Sequence, residues 1–359
     1  MIPIRLGLQQ RVLPVYRTPF FQALAADCPQ GLGIFAGQPR PHEMVENQFE
    51  IPGAQVTIAK NRHFFKEPWY LCWQSGLLHW LETWQPQVLI LEANPRYLLS
   101  PFAVRWMHAR HRPVIGWGLG APPTNRLRST WRARFLHQFD AMITYSQQGA
   151  DQYHAAGLSA DRIFVARNAV AARPTEPAPQ RPPEFANARP TIIFVGRLQA
   201  RKLVDQLIQA CAAQPTPPQL WIVGDGPERA TLEAQAAQIL PDAVFWGTRH
   251  GEELIRLLDQ ADLFVLPGTG GLAIQQAMSR ALPVIVAAGD GTQSDLVRPE
   301  NGWNVPPNDR TALQAAIAEA TREASRLRRM GLASYRIVRE EINLETMVAA
   351  FASAVQSVL

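Results

Sequence analysis

The chain has 359 residues, 47% of them apolar and 18% charged, which suits two α/β domains of about 150 to 200 residues each and excludes a disordered polymer. The formal charge of +5 is uneven: residues 1–172 carry 17 Lys+Arg against 10 Asp+Glu, whereas residues 173–359 carry 18 against 20. The basic first half therefore faces something anionic, and with no RNP motif or zinc finger in the chain a nucleic acid is not expected.

The opening MIPIRLGLQQRVLPVY lacks the apolar core and cleavage site of a secretion signal, and no run of about 18 apolar residues follows, so a cytoplasmic protein without a membrane-spanning helix is expected. IRLGL, GLGIF and QVTIA read as the first strands. EPWYLCWQSGLLHWLETWQP then sets Trp69, Trp73, Leu77, Trp80 and Trp84 at helical spacing, the apolar face of a domain helix or, alternatively, a membrane anchor. VLILEA and PVIGWG follow as strands. NRLRSTWRARFLHQF, residues 125–139, places Arg126, Arg128, Arg132 and Arg134 around Trp131, Phe135 and Phe139, either a solvated helix over a packed face or one lying on an anionic lipid surface. AMITYS and RIFVARN complete a first domain over residues 1–172.

The six prolines of RPTEPAPQRPPEFANARP predict a linker over 173–190. Beyond it TIIFVG, LWIVGDG, AVFWG, LFVLPG and PVIVAA each precede a helical stretch, giving a second domain over 191–340. A helix over about 341–359 closes the chain and is expected to pack back on the first domain. Continuous apolar strands alternating with helices imply two Rossmann-like, doubly wound parallel sheets, with ligands beyond the carboxyl ends of the strands.

The loops at those ends carry the chemistry. Arg197, after Gly196, and Lys202 are two cations beside a strand end, able to clamp a diphosphate. Gly224, Asp225, Gly226 and Pro227 form a strand-to-helix turn. Thr269, Gly270, Gly271 and Leu272 lead into the next helix, whose free N–H groups favour an anion. Cys28, Cys72 and Cys211 encode neither a disulfide framework nor a metal site, and His63, His79, His108 and His111 have no ligand spacing, so no metal and no resident cofactor is expected.

GRLxxxK at 196–202, VGDGP at 223–227, VFWG at 244–247, ADLFVLP at 261–267, then GLxxxxAM and LPVI resemble the nucleotide-sugar domain of family-four retaining glycosyltransferases, also known as glycosyl transferases group 1. The likeness continues through RVLPVYRTPFF, LEANPR, PVIGWGLG and AMITYSQQGADQY. It implies the GT-B fold, two such domains facing across a cleft. It also implies transfer of a sugar, with retention, from a nucleoside diphosphate sugar to a glycan or lipid-linked glycan. The basic first half and the arginine-rich segment, read from charge alone, add the expectation that the cytoplasmic protein sits peripherally on the inner membrane face, with a soluble polysaccharide acceptor or a protein partner as the alternative. Arg197 and Lys202 would hold the diphosphate, Gly270–Leu272 would cap it, and the turns at 224–227 and 247–249, with Thr248 and Arg249, would frame the nucleoside. Tyr16, Arg17, Asn94, Arg96 and Leu119 are the candidates on the acceptor side.

The family signature is a pair of glutamates eight residues apart, and alignment on GL and AM puts Gly268 and Gln276 at those positions. Leu119 stands where many relatives have histidine. Gln276 can still meet ribose hydroxyls through its amide. Gly268 offers no side chain to the sugar. A catalytically degenerate protein that binds a sugar nucleotide is the alternative.

Overall fold

The structure, a computed structural model, describes residues 1–40, 43, 45–66, 68–289 and 291–359, except the side chains of residues 126–128 and 187. It divides into two compact units, Met1–Val170 with Leu344–Leu359, and Ala171–Asn343.

In the first unit the described residues form an eight-stranded sheet from β1 (Leu6–Val12), β2 (Leu32–Gly37), β3 (Ala54–Phe64), β4 (Leu71–Ser75), β5 (Val88–Glu92), β6 (Val114–Gly118), β7 (Ala141–Thr144) and β8 (Ile163–Val165). Its order is β4-β3-β2-β1-β5-β6-β7-β8, parallel except for the antiparallel β3–β4 pair. β2 is buried throughout, and β5 up to its last residue, because helices cover both faces: α1 (Thr18–Ala26), α2 (Leu77–Trp84), α3 (Ser100–His108), α4 (Arg126–Leu136) and α5 (Gln147–Ala155).

The tryptophan stripe departs from the expected long helix. Residues 71–75 are strand β4, Gly76 turns the chain at φ +93°, and only Leu77–Trp84 is helical. Tyr70, Cys72 and Gln74 alternate as buried residues across that boundary while Trp69 and Trp73 face outward, a period of two that the helical spacing of the tryptophans masks. In the basic segment, Phe135 and Phe139 are core residues in edge contact at 5.3 Å, so the apolar face is packed and Trp131 alone of the three aromatics is exposed. The side chains of Arg126 and Arg128 lie outside the described residues.

The second unit carries a six-stranded parallel sheet, β9 (Thr191–Val195), β10 (Gln219–Val223), β11 (Val244–Gly247), β12 (Leu263–Leu266), β13 (Val284–Ala287) and β14 (Gly302–Val305), ordered β11-β10-β9-β12-β13-β14 among the described residues. Its helices are α6 (Val204–Ala212), α7 (Arg229–Ile239), α8 (Gly251–Gln260), α9 (Leu272–Ser279), α10 (Thr292–Leu296), α11 (Arg310–Ala320) and α12 (Ala324–Glu340). The strand order reverses between β1 and β5 in one sheet and between β9 and β12 in the other. At each reversal the loops leaving neighbouring strands diverge and open a crevice.

The proline-rich segment is docked on the second unit. Arg181 donates to the carbonyls of Leu258 (2.8 Å), Ala261 (2.8 Å), Arg280 (2.8 Å) and Ala281 (3.0 Å), which are carbonyls left unpaired at the ends of α8 and α9. Arg328 adds a bond to Pro182 O at 2.8 Å and an enclosed ion pair with Asp262 at 2.7 Å. The last helix, α13 (Leu344–Gln356), belongs to the first unit, where Phe351 packs on Phe20 at 5.0 Å and on Trp117 at 4.9 Å.

Candidate active site

The β9 and β12 loops of the second unit are held together backbone to backbone. Gly196 N donates to Val223 O (2.9 Å) and Leu198 N to Asp225 O (2.9 Å), tying the β9 loop to the β10 turn. The approach is so close that a β-carbon on Gly224 would fall on Gly196 O, and one on Gly226 on Leu198 O; Gly224 also has φ +136°. On the other side Thr269 N donates to Arg201 O at 3.1 Å, Arg201 Nη1 to Thr269 Oγ1 at 3.1 Å, and Lys202 Nζ to Thr269 O at 2.6 Å. Gly270, at φ +141°, lies against Lys202 Nζ, and Gln293 Nε2 reaches Gly270 O at 3.0 Å.

Lys202 is the electrostatic centre of this clasp. Burial, reinforced by the charge of Arg201, brings its pKa down to about 8. Among the described residues no carboxylate offsets it, and its partner is the neutral Thr269 carbonyl. α9 starts beside it at Gly271, which supplies no capping side chain, so the first N–H groups of α9 add positive potential at the same place. The arrangement can take an anion.

Other sequence candidates are spread further. Arg197 is exposed next to Gly196. Asp225 accepts from Gly226 N at 2.7 Å and from Arg229 Nη1 at 3.0 Å, which hold its carboxyl below the usual range. Pro227 follows in the same turn. Thr248 and Arg249 leave the edge strand β11, Arg249 pairing with Glu253 at 3.8 Å. Gln276 is half-buried in α9, whereas its neighbour Gln275 is buried, accepting from Ala171 N at 3.0 Å and donating to Ile342 O. No group of three His, Cys, Asp or Glu among the described residues is placed to hold a metal ion.

In the first unit Tyr16, Arg17, Asn94, Arg96 and Leu119 all line one cavity of about 1350 Å³ at the β1/β5 reversal. The sequence reasoning missed Glu92, which ends the apolar strand β5 on the cavity wall. A carboxylate closing VLILE at its carboxyl end was the available signal. Burial pushes the Glu92 carboxyl up, opposed by the Arg11 N–H at 2.6 Å, by the charges of Arg11 and Arg17, and by the Tyr97 hydroxyl. Beneath it the charges close on themselves: although burial works against ionisation, Arg11 and Arg40 hold Glu43 down to about 2 through bonds of 2.8–2.9 Å. Trp117 and Tyr145, also missed, complete the wall around Arg17.

Residues 178–336 match the family described as glycosyl transferases group 1. Over 231 residues the chain is 32% identical to a GDP-mannose-dependent alpha-mannosyltransferase of Mycobacterium tuberculosis, covering 60% of this chain and 57% of that one. Over 201 residues it is 30% identical to the putative colanic acid biosynthesis glycosyltransferase WcaL of Salmonella typhimurium, covering 51% and 48%. The chain thus spans about half the length of the curated relatives it matches. Among solved structures, HepE of Anabaena in complex with UDP superposes with a TM-score of 0.72 at 16% identity, over 98% of this chain and 99% of that one. The lipopolysaccharide outer core galactosyltransferase WaaB gives 0.68 at 15% identity over 99% of both chains. At these identities the likeness establishes the fold, GT-B.

Proposed function

We propose that this chain, whose residues 178–336 match the group 1 glycosyl transferases, moves a sugar with retention from a nucleoside diphosphate sugar to a glycan or lipid-linked glycan, in polysaccharide or cell-envelope glycan synthesis. The observation that carries this reading is Lys202, a half-buried ammonium without a counter-charge among the described residues, set between a glycine loop and the uncapped start of α9. In the reading a donor diphosphate replaces Thr269 O as the partner of Lys202 Nζ, takes the N–H groups of Gly270–Leu272, and gains Arg197 as a second cation. Gln276 meets the ribose, and the turns at Gly224–Pro227 and Thr248–Arg249 frame the base.

The bond between the anomeric carbon and the donor's terminal phosphate oxygen breaks as the acceptor hydroxyl attacks the same face. The hydroxyl proton passes to that phosphate oxygen, which leaves with the bond's electron pair. Arg197 and Lys202 neutralise the charge that develops there, so the step as proposed calls for neither a carboxylate at position 268 nor a metal. The relatives' names point to GDP-mannose and the solved neighbour to UDP, so both belong among the donors to be tried.

The test is a thermal-shift panel of nucleotide sugars and diphosphates on wild type and Lys202→Ala. Stabilisation of the wild type alone is expected, and no shift with any compound at millimolar concentration overturns the donor site. No helix of the described residues is long and apolar enough to cross a membrane. We propose that the basic first unit works against an anionic membrane surface on its cytoplasmic side. Vesicle binding that weakens with salt is the expected result, and equal sedimentation with neutral and anionic vesicles counts against it.

A further inference from the structure

We propose that the cavity of the first unit holds an anion subsite built on Arg17 and Trp117, and that the acceptor entering it is a phosphate-bearing amphiphile. The word acceptor rests on the transferase reading above; the subsite does not.

Arg17 is boxed by aromatic faces, its guanidinium carbon 4.9 Å from the Tyr145 ring centre and 5.4 Å from that of Trp117. Nη2 donates to Asn168 Oδ1 at 3.3 Å, while Nη1 is buried without a hydrogen-bond partner. Arg17 makes no ion pair with any described carboxylate. Glu92, the described carboxylate of the cavity, is already engaged by the Arg11 N–H and Tyr97. Trp117 is 2% exposed, and its indole N–H also lacks an acceptor. An unpaired guanidinium N–H and an unpaired indole N–H in one cluster are two buried donors that an oxygen atom would satisfy. Anionic oxygen serves best, because the aromatic faces screen the Arg17 charge without neutralising it.

Lys66, Arg96 and Arg132 also line the cavity, so its described residues carry four cations against one carboxylate. The same wall presents Trp69 at 70% and Phe65 at 71% exposure, with Trp131 at 59%. Large apolar groups left in water beside cations match a ligand that is charged at one end and hydrocarbon at the other. A free sugar phosphate would satisfy the donors and leave the aromatic wall wet; a neutral glycolipid would do the reverse.

The test is calorimetric titration of the full-length protein with hexyl phosphate, hexyl glucoside and glucose 1-phosphate. Hexyl phosphate is expected to bind at least about tenfold more tightly than either of the others. Arg17→Gln is expected to lose at least about tenfold, and Arg17→Lys, which keeps the charge but not the fork, to lose less. The Arg17-dependent component of hexyl phosphate binding is expected to persist in Lys202→Ala, which keeps this site apart from the anion site of the second unit. Melting curves of both Arg17 variants confirm that folded protein is compared. Equal binding of hexyl phosphate by wild type and Arg17→Gln, or no binding at all, overturns the subsite. Glucose 1-phosphate binding as tightly as hexyl phosphate overturns the amphiphile. Binding through Arg17 in a protein that no nucleotide sugar stabilises upholds the subsite and removes the donor reading; nucleotide stabilisation without hexyl phosphate binding does the opposite.

Discussion

Gly268 is packed against the backbone of Lys202: a β-carbon built on it would stand 2.6 Å from Lys202 Cα and 2.5 Å from the Lys202 carbonyl carbon. The position that alignment on GL and AM sets against a family glutamate is therefore filled here by main chain. The contact is also what lets Thr269 reach Arg201 and Lys202. A side chain at 268 must push the two loops apart. Gly268→Ala is expected to destabilise by about 1–3 kcal/mol, and Gly268→Glu by at least as much, both with weaker nucleotide binding. Calorimetry and melting curves measure this. Higher activity in Gly268→Glu would show that the loop gives way and that the site is one recently decayed.

The adjacent glutamines of α9 separate a structural from a ligand-facing role. The Gln275 amide joins Ala171 N and Ile342 O, the two ends of the chain that enter and leave the second unit. Gln275→Leu leaves both enclosed groups unpaired and is expected to cost about 2–4 kcal/mol, a loss of several degrees in Tm. Gln276→Ala is expected to change stability by no more than about 0.5 kcal/mol and to weaken donor binding about tenfold. Reversed effects would mean that the alignment on GL and AM is out by one residue.

That pair also marks how far the sequence could be read. The parallel parts of both sheets were legible because strands buried on two faces are written as unbroken apolar runs. β4 was missed because tryptophans at 69, 73, 80 and 84 satisfy a helical period across a strand, a glycine turn and a short helix. The glycine loops were legible as phosphate-type turns, since only glycine tolerates such close backbone approach. Which loops touch is set by long-range contact, so Gly268 read as a missing side chain when it is a packing position. The cavity wall was half legible: polar residues after strands stood out, whereas Trp117 and Tyr145 look like core in any sequence.

The proline-rich segment offers a test of docking against free linkage. Arg181 is largely buried, burial lowers its pKa to about 10 against the charges of Asp259 and Asp262, and four carbonyls accept its N–H groups. Arg181→Met removes those bonds and leaves helix-end carbonyls uncapped, at an expected cost of about 2–4 kcal/mol. Residues 173–190 should resist limited proteolysis in the wild type and be cut in the variant. Equal cutting in both would mean that the segment is not held.

Lys202 ties pH to donor binding with a definite sign. Its folded pKa is about 8 against an ordinary 10.5, so between those values the unfolded chain binds more protons, and this residue's contribution to stability rises with pH through that window. Anion binding requires the protonated form, so affinity for a nucleoside diphosphate moves the other way. It should be flat below about pH 7 and roughly tenfold weaker at pH 9, with proton uptake on binding near pH 8 that shows as a buffer-dependent calorimetric enthalpy. Lys202→Arg keeps a charge that does not titrate and should flatten the profile while retaining most of the affinity. Lys202→Ala and Arg197→Ala should each lower turnover by about 10² or more, because the charge they oppose is largest as the phosphate leaves. A wild-type profile unchanged from pH 7 to 9 would place the diphosphate elsewhere, and turnover insensitive to both alanine variants would overturn the mechanism even if the pH profile held.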